Sequence, residues 1–145
     1  MTRYRQSTPA DGDRVVEIWR RAVDATHDFL SPEDRAAIEA EVQGFLPTAP
    51  LWLAVDENDV AAAFMLLDGA HMEALFVDPD RRGTGVGRGL VTLALERHPV
   101  LTTDVNEQNG QAVGFYARMG FVPTGRSETD GQGRSYPLIH LRRGD

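Results

Sequence analysis

The chain has 145 residues, of which 41% are hydrophobic, so we expect one globular domain over 1–145 that buries most of its apolar surface. It contains no cysteine and no lysine, which excludes disulfides, thiolate metal sites, and cysteine or lysine nucleophiles. A formal net charge of -7 without a basic run argues against nucleic-acid binding and favours a cationic small molecule or peptide, although acidic surfaces commonly serve solubility alone. No apolar run approaches the roughly 18 residues of a membrane span, so we expect a cytoplasmic protein with no membrane partner.

The first third of the chain predicts two helices after a short strand. Apolar residues at positions 15, 18, 19, 22 and 23 follow helical spacing and predict a helix that ends near residues 24–27. Ser31 and the proline after it are typical of an N-cap and a first helical turn. The second helix should therefore run to about Val42, with Gly44 helping to close it.

The middle of the chain changes to strand character. The runs LWLAV, VAAAFMLL and HMEALFV, separated by the turn sequences DEND and DGA, predict an antiparallel meander. An apolar helix over 86–95, the strand VLTTDV, a helix that Gly120 ends and two final strands complete the chain. The order β-α-α-β-β-β-α-β-α-β-β predicts an α/β (α+β) fold with a mixed, mostly antiparallel sheet and helices on both faces.

Four glycines occupy alternate positions from 83 to 89, where the third strand of the meander gives way to a helix. A strand, a tight turn and a helix start together form an anion-binding site, because the first helical N–H groups lack partners within the helix. A Walker loop is excluded because it needs lysine. The dinucleotide fingerprint is excluded because it would need glycine at Arg88 or Leu90. An ordinary glycine turn is the alternative.

The remaining pattern is RGTGVG, which fits [RQ]-x-x-G-x-[GA] and follows a strand ending in LFVDP. This arrangement resembles the acetyl-CoA signature of the GNAT superfamily of N-acetyltransferases. The resemblance implies a GNAT-type fold, with acetyl-CoA bound through the strand backbone at its pantetheine arm and through loop N–H groups at its pyrophosphate. The residues so implied are Leu75, Phe76 and Val77 in the strand, and Arg82, Gly83, Thr84, Gly85, Val86, Gly87 and Arg88 in the loop.

A second motif lies downstream, in VNEQNGQAVGFYARMGF. It is similar to the N-x-x-A motif of the same family, which implies that Asn109 and Ala112 line the coenzyme and that Tyr116 faces the thioester sulfur. The segments ATHDFL, FLPTAPLW and TGRSETDGQGRSYPL also look like a bacterial subgroup of these acetyltransferases, so the resemblance covers the whole chain. The main departure is His71, which stands where some relatives carry a glutamate as general base.

Acetyl transfer to an amine needs a neutral nucleophile, a polarised carbonyl and a stabilised leaving group. Backbone N–H groups near Phe76 and Val77 can polarise the carbonyl, and Tyr116 is the candidate acid for the departing sulfur. The alternative for Tyr116 is a core tyrosine whose hydroxyl only finds a partner. His71 and Glu73 lie two apart on one strand, so they share a face. Either can be the base. His71 is favoured because an unperturbed imidazole has a pKa near neutrality. The alternative for His71 is a structural histidine with no catalytic role.

The acceptor pocket is predicted at the ATHDFL loop between the first two helices. His27, Phe29 and Leu30 there suit a small amphipathic substrate, with simple anchoring of the loop as the alternative. His98 and His140 are assigned structural or surface roles. Because the histidines are scattered along the chain, we expect no metal.

The predicted function is transfer of an acetyl group from acetyl-CoA to a primary amine of a small molecule, peptide or protein. Since no cysteine or lysine can carry the acetyl group, direct attack in a ternary complex is favoured over an acyl-enzyme. The alternatives are a catalytically silent coenzyme-binding sensor or interaction module, and a transferase acting on charged tRNA, which the acidic balance disfavours. The sequence leaves open the acceptor, the choice between His71 and Glu73 as base, acetyl against longer acyl groups, and monomer against homodimer.

Overall fold

The computed structural model describes residues 2–144, in which seven strands and four α-helices follow the predicted order. The strands are β1 (Arg3–Gln6), β2 (Trp52–Val55), β3 (Ala61–Asp68), β4 (His71–Val77), β5 (Leu101–Asn106), β6 (Val122–Ser127) and β7 (Leu138–Arg143). The helices are α1 (Gly12–Thr26), α2 (Pro32–Phe45), α3 (Val86–Arg97) and α4 (Gly110–Arg118). The strand order in the sheet is β1-β2-β3-β4-β5-β7-β6, with a parallel pairing of β4 and β5. The predicted mixed α/β fold is confirmed.

The chain divides into two compact units. The first comprises the chain up to Leu66 together with Ala74–Val91, and the second comprises Leu67–Glu73 together with the chain from Thr92 onward. Strand β4 contributes residues to both units. A single domain over 1–145 stays a prediction.

The first unit has an apolar core built by α1, β2 and β3. Val15, Ile18 and Trp19, three of the positions that predicted α1, are at most 4% exposed. All of β2 after its first residue and the first five residues of β3 are buried, including Leu53 and Phe64. Both faces of these strands are therefore covered, which explains their continuous apolar sequence.

The second unit builds its core on one face of β5. Leu101, Thr103 and Val105 are buried, whereas the residues between them are partly or fully exposed. The ring of Tyr116 from α4 lies edge-to-face with Phe121, with 5.3 Å between centroids, and both residues are buried. Successive residues of a strand point to opposite faces, so β5 presents one apolar face and one polar face.

The second helix ends later than predicted. The Ser31 hydroxyl caps α2 by accepting the Asp34 N–H at 3.1 Å, as the sequence indicated. The helix then continues through Gly44 to Phe45, so the prediction that Gly44 helps to close it is wrong. A glycine inside a helix costs only about 1 kcal/mol relative to alanine, which is too little to end a helix that is otherwise well formed. Helix α3 likewise continues two residues past the predicted 95.

A buried carboxylate ties α1 to the segment that follows β4. Asp78 is 3% exposed, and its N–H donates to the Ala62 carbonyl at 2.8 Å. Its carboxylate accepts from Arg14 Nη2 at 2.7 Å, Arg21 Nη1 at 2.9 Å and the Asp80 N–H at 3.0 Å. Burial by itself would raise the pKa of Asp78, but these donors outweigh it and hold the pKa below its usual value. The start of the glycine loop is therefore fixed by charge-assisted bonds.

We expect Asp78→Asn to lower the free energy of unfolding by about 1–3 kcal/mol in urea denaturation. Breaking a fully buried ion pair costs about 3–5 kcal/mol, and this value is discounted because Arg14 and Arg21 are 25% and 39% exposed. Since the folded-state pKa lies below the unfolded value of about 3.9, the stabilisation is present above that pH and is lost as pH falls. The difference between the two proteins should therefore narrow below about pH 3.9.

The matched control is Asp80→Asn, because Asp80 bonds the same Arg21 from a side chain that is 73% exposed. Such an exposed pair should cost less than about 1 kcal/mol when it is removed. Equal losses for the two variants would contradict the role assigned to Asp78.

Candidate active site

The glycine loop lies between β4 and α3, within the first unit. A 3-10 turn over Pro79–Arg81 leads into Gly83 and Gly85, whose φ angles are 77° and 88°. These are left-handed conformations that residues with a side chain rarely adopt. A Cβ added at either glycine would meet nothing within 4 Å, so conformation and not crowding requires glycine there. Helix α3 begins at Val86, directly after this turn.

A different constraint applies to the last glycine of the loop sequence. A Cβ added at Gly89 would lie 1.7 Å from the Tyr4 hydroxyl oxygen. The first turn of α3 therefore packs closely on the side chain from β1. A side chain at Gly89 would displace the Tyr4 hydroxyl, which is the far end of a side chain that is 38% exposed. The four alternating glycines do not share one role.

The loop offers backbone groups to an anion. Residues 82–85 are exposed, and the N–H groups of the first helical turn follow them. A helix N-terminus carries partial positive charge, and the space above Gly83 and Gly85 is open. The open space and the helix start fit an anion such as a pyrophosphate group. The coenzyme contacts of Arg82–Arg88 stay a prediction.

The strand that leads into the loop is anchored by an aromatic contact. The Phe76 ring lies 5.5 Å from the ring of Phe64, centroid to centroid, and packs against the core of the first unit. Leu75 and Val77, on either side, are half-buried. The predicted pantetheine strand is thus held by its side chains, and any role of its backbone stays a prediction.

The downstream motif begins in the second unit with an N-cap. The Asn109 side chain accepts the Ala112 N–H at 3.2 Å and so caps α4. This contact gives the N-x-x-A spacing a structural reason, since a cap accepts from the third residue of the helix. The coenzyme contacts predicted for Asn109 and Ala112 stay a prediction.

Tyr116 is buried, with 7% of its surface exposed, and its ring packs edge-to-face on Phe115 and Phe121. Burial raises the pKa of Tyr116 well above its usual value, and a hydrogen bond with Thr103 opposes this only in part. The Thr103 hydroxyl itself donates to the Met72 carbonyl at 2.8 Å, and burial is the dominant cause of the raised pKa of Tyr116. The phenol is therefore protonated at neutral pH, which suits a proton donor. A core tyrosine with a satisfied hydroxyl would show the same contact.

His71 and Glu73 lie on one face of β4, in its part that belongs to the second unit. His71 is half-buried and Glu73 is exposed, whereas Met72 between them is buried. Nδ1 of His71 lies 2.7 Å from the Thr102 hydroxyl oxygen, and Nε2 lies 3.3 Å from Asp104 Oδ2. Both ring nitrogens of the predicted base therefore have partners on β5.

The same carboxylate serves a second histidine. Asp104 Oδ1 lies 2.5 Å from His140 Nδ1, and His140 Nε2 lies 2.7 Å from the Ser127 hydroxyl oxygen. Sequence reasoning missed Asp104, Thr102 and Ser127. Alternation in LTTDVN indicates that the first two share a face, but only the pairing of β5 with β7 brings His140 beside them, from 36 residues away.

The predicted acceptor loop is well packed in the first unit. His27 Nδ1 lies 2.7 Å from the Thr26 hydroxyl, and its ring centroid lies 5.1 Å from that of Phe29. Burial lowers the pKa of His27, so the ring is neutral at neutral pH. Leu30 packs against the apolar core, as the anchoring alternative expected. A substrate role for these three residues stays a prediction.

No group of three His, Asp or Glu side chains within residues 2–144 is arranged to hold a metal ion. No helix within the same residues is both long and apolar enough to cross a membrane.

The chain is similar to known acetyltransferases. A family model described as an acetyltransferase (GNAT) domain matches residues 19–136. The peptidyl-lysine N-acetyltransferase YjaB of Escherichia coli (strain K12) is 60% identical over 94% of this chain and 93% of its own length. The solution structure of apo-form YjaB from Escherichia coli covers 100% of this chain and 99% of that one, at 57% identity and a TM-score of 0.96. A PaiA N-acetyltransferase from Thermoplasma acidophilum, in complex with coenzyme A, shares the fold at 16% identity, with 100% and 99% coverage and a TM-score of 0.80.

These matches confirm two expectations from the sequence. One is the GNAT acetyltransferase family, and the other is the bacterial subgroup, which is the one typified by YjaB.

Proposed function

The chain belongs to the GNAT family of acetyltransferases, and we propose that it transfers an acetyl group from acetyl-CoA to the side-chain amine of a peptidyl lysine. The observation that carries the acceptor class is the 60% identity, over almost the full length of both chains, to an enzyme named as a peptidyl-lysine N-acetyltransferase. The net charge of -7 supports a cationic acceptor. Small amines are the alternative that the sequence left open.

The coenzyme is assigned to backbone groups more than to side chains. Acetyl-CoA supplies an acetyl group activated as a thioester. Backbone N–H groups over Arg82–Arg88 bind the pyrophosphate, and the backbone of Leu75–Val77 binds the pantetheine arm. Within the loop, the N–H groups of Arg82 and Thr84 already donate to the Pro79 and Arg81 carbonyls, at 3.5 and 3.4 Å. This assignment is supported by the positive φ angles of Gly83 and Gly85 and the helix start that follows them.

Tyr116 is assigned as the proton donor to the departing sulfur. Its raised pKa keeps the phenol protonated at neutral pH, so the hydroxyl has a hydrogen to donate. A free thiol has a pKa near 8.5, so the thiolate is already a tolerable leaving group and the donor contributes at or below the usual ~10²–10⁴-fold.

The amine must lose a proton before it attacks, because a lysine side chain has a pKa near 10.4 and is charged at neutral pH. His71 is assigned as the group that takes this proton, with Glu73 on the same face as the alternative. The absence of cysteine and lysine from the chain supports direct attack in a ternary complex, since neither side chain is present to carry the acetyl group.

Acetyl-CoA should raise the melting temperature of the protein, and Gly85→Glu should abolish the shift by placing bulk and negative charge at the pyrophosphate site. At about 100 times the dissociation constant the stabilisation is ~2.7 kcal/mol. Gly44→Glu is the matched control, because Gly44 is an exposed position in α2 with nothing within 4 Å of an added Cβ. Gly85→Ala tests backbone strain alone, because alanine adds a Cβ at the positive φ angle of residue 85 but no charge. No shift for the wild-type protein in millimolar acetyl-CoA would refute the assignment.

The acceptor class is tested by measuring coenzyme A release with a lysine-containing peptide whose N-terminus is blocked. We expect release with this peptide, and none with the same peptide carrying arginine in place of lysine. Release with small polyamines but not with the peptide would move the acceptor class to small molecules. If no amine of either kind gives release while acetyl-CoA still shifts the melting temperature, the chain is a coenzyme-binding module.

Tyr116→Phe should retain the ring packing and the affinity for acetyl-CoA but lower kcat, by up to ~10²–10⁴-fold. Thr103→Val is the control, since it removes the same hydrogen bond but keeps the phenol. It should cost stability, about 0.5–1.5 kcal/mol for each lost bond, with a smaller effect on kcat. If Tyr116→Phe has the same kcat as the wild-type enzyme under conditions in which chemistry limits the rate, Tyr116 is a core tyrosine and not the proton donor.

A further inference from the structure

Two histidines of the second unit share one carboxylate on the polar face of its strands. This group of side chains, the Asp104 cluster, consists of His71 on β4, Thr102 and Asp104 on β5, His140 on β7 and Ser127 on β6. Each carboxylate oxygen faces one imidazole, at 3.3 Å for His71 and 2.5 Å for His140. Each imidazole faces a hydroxyl on its other side, at 2.7 Å in both cases. The cluster is thus two hydroxyl–imidazole–carboxylate arms that meet at Asp104.

The carboxylate determines which nitrogen of each ring carries hydrogen. An ionised carboxylate only accepts hydrogen bonds, so each neutral imidazole must donate from the nitrogen that faces Asp104. That nitrogen is Nε2 in His71 and Nδ1 in His140. The opposite nitrogens then have lone pairs and accept from the hydroxyls of Thr102 and Ser127. The two histidines are therefore opposite tautomers.

We propose that Asp104 makes His71 the base of the acetyl transfer, and that the proton reaches His71 Nδ1 through the Thr102 hydroxyl. The proposal rests on the acetyltransferase function argued above. It assigns the role of base to His71 and not to Glu73. In it His71 takes the proton, Thr102 conducts it, and Asp104 is a positioning residue that fixes the tautomer and balances the imidazolium charge. His140 and Ser127 are positioning residues for Asp104.

The proton transfer conserves atoms and charge. One N–H bond of the lysine ammonium breaks and its proton passes to Thr102 Oγ1, while the hydrogen of that hydroxyl passes to His71 Nδ1. The amine lone pair is then free to bond the acetyl carbon. The neutral imidazole becomes an imidazolium beside the Asp104 carboxylate, and it returns the proton to water by the reverse path before the next turnover.

The hydrogen bonds of the cluster are satisfied in both states of His71. With a neutral ring, the Thr102 hydroxyl donates to Nδ1 at 2.7 Å. With a charged ring, Nδ1–H donates to the same oxygen, and the hydroxyl hydrogen turns to the Ala70 carbonyl at 3.5 Å. No polar atom is left unpaired by the transfer, so protonation carries no penalty for an orphaned donor or acceptor.

Glu73, the alternative base, has different surroundings from His71. It shares the face of His71 but is exposed, so water competes for the hydrogen bonds of its carboxylate. The strand register places Arg142 opposite Thr102 and His140 opposite Asp104. The charged and titratable groups near His71 therefore include Glu73, Asp104, His140 and Arg142. They also include Asp68, because β3 is the other neighbour of β4 and ends at Asp68, across a two-residue turn from His71.

The tautomers are tested first, by long-range nitrogen–hydrogen correlation NMR on protein labelled with ¹⁵N-histidine. We expect His71 with hydrogen on Nε2 and His140 with hydrogen on Nδ1 at a pH where both rings are neutral. In Asp104→Asn the amide can donate as well as accept, so at least one ring should change tautomer. Wild-type His71 with hydrogen on Nδ1 would overturn the proposal without any measurement of activity.

The base is tested by the pH dependence of kcat/KM for the lysine peptide, at saturating acetyl-CoA. We expect His71→Gln to remove the rising limb of the profile. Asp104→Asn should lower kcat/KM at least 10-fold, because the ring loses the carboxylate that fixes its tautomer and balances the imidazolium charge. Thr102→Val should lower the rate, and Thr102→Ser, which keeps the hydroxyl, should restore it.

His98→Gln is the matched control, since His98 follows α3 and lies outside the cluster, and it should leave the profile unchanged. Melting temperatures of all variants separate loss of fold from loss of rate. A folded Asp104→Asn with wild-type rate and profile would overturn the proposal. A larger loss in Glu73→Gln than in His71→Gln would transfer the role to Glu73. Turnover by the wild-type chain in the same assay shows that either failure concerns the base and not the acetyltransferase function.

Discussion

The alternation of side chains along β5 is the constraint on which the chemistry of the second unit depends. Thr103 is buried and interacts with Tyr116, whereas Thr102 and Asp104, one residue to either side, lie on the polar face and contact His71. The candidate acid and the candidate base are thus held from opposite faces of one strand. His71 and Tyr116 thus have different hydrogen-bond partners on β5, which are Thr102 and Asp104 for His71 and Thr103 for Tyr116.

The parts of the fold that the sequence predicts are those that local spacing determines. Helix α1 follows from an apolar stripe, α2 from the Ser31 cap, and the anion loop from glycines whose positive φ angles are a property of single residues. Local signals fail where the competing energies are small. Gly44 weakens a helix by only about 1 kcal/mol, and for that reason it does not end α2.

The Asp104 cluster shows why the rest of the site could not be predicted from the sequence. Alternation indicates that Thr102 and Asp104 share a face, but it does not say which strand lies beside them. Ser127 and His140 reach Asp104 only through the order β5-β7-β6 and its register, which a long-range pairing determines. A slip of one residue in that pairing would move His140 to the other face. His140 was consequently assigned a structural or surface role, and Asp104 none.

The proposed acceptor, a peptidyl lysine, gives a physical reason for the absence of lysine from this chain. A chain that acetylates peptidyl lysine and contains none has no side chain on which it can modify itself. Its positive charges are all arginines, whose guanidinium groups stay charged and are not amine nucleophiles. Their planar forks also bridge pairs of carboxylates, as Arg21 does between Asp78 and Asp80 and Arg126 does between Glu107 and Glu128. The composition thus supplies surface and core ion pairs that acetylation of lysine cannot remove, and the start of the glycine loop depends on those that Asp78 makes.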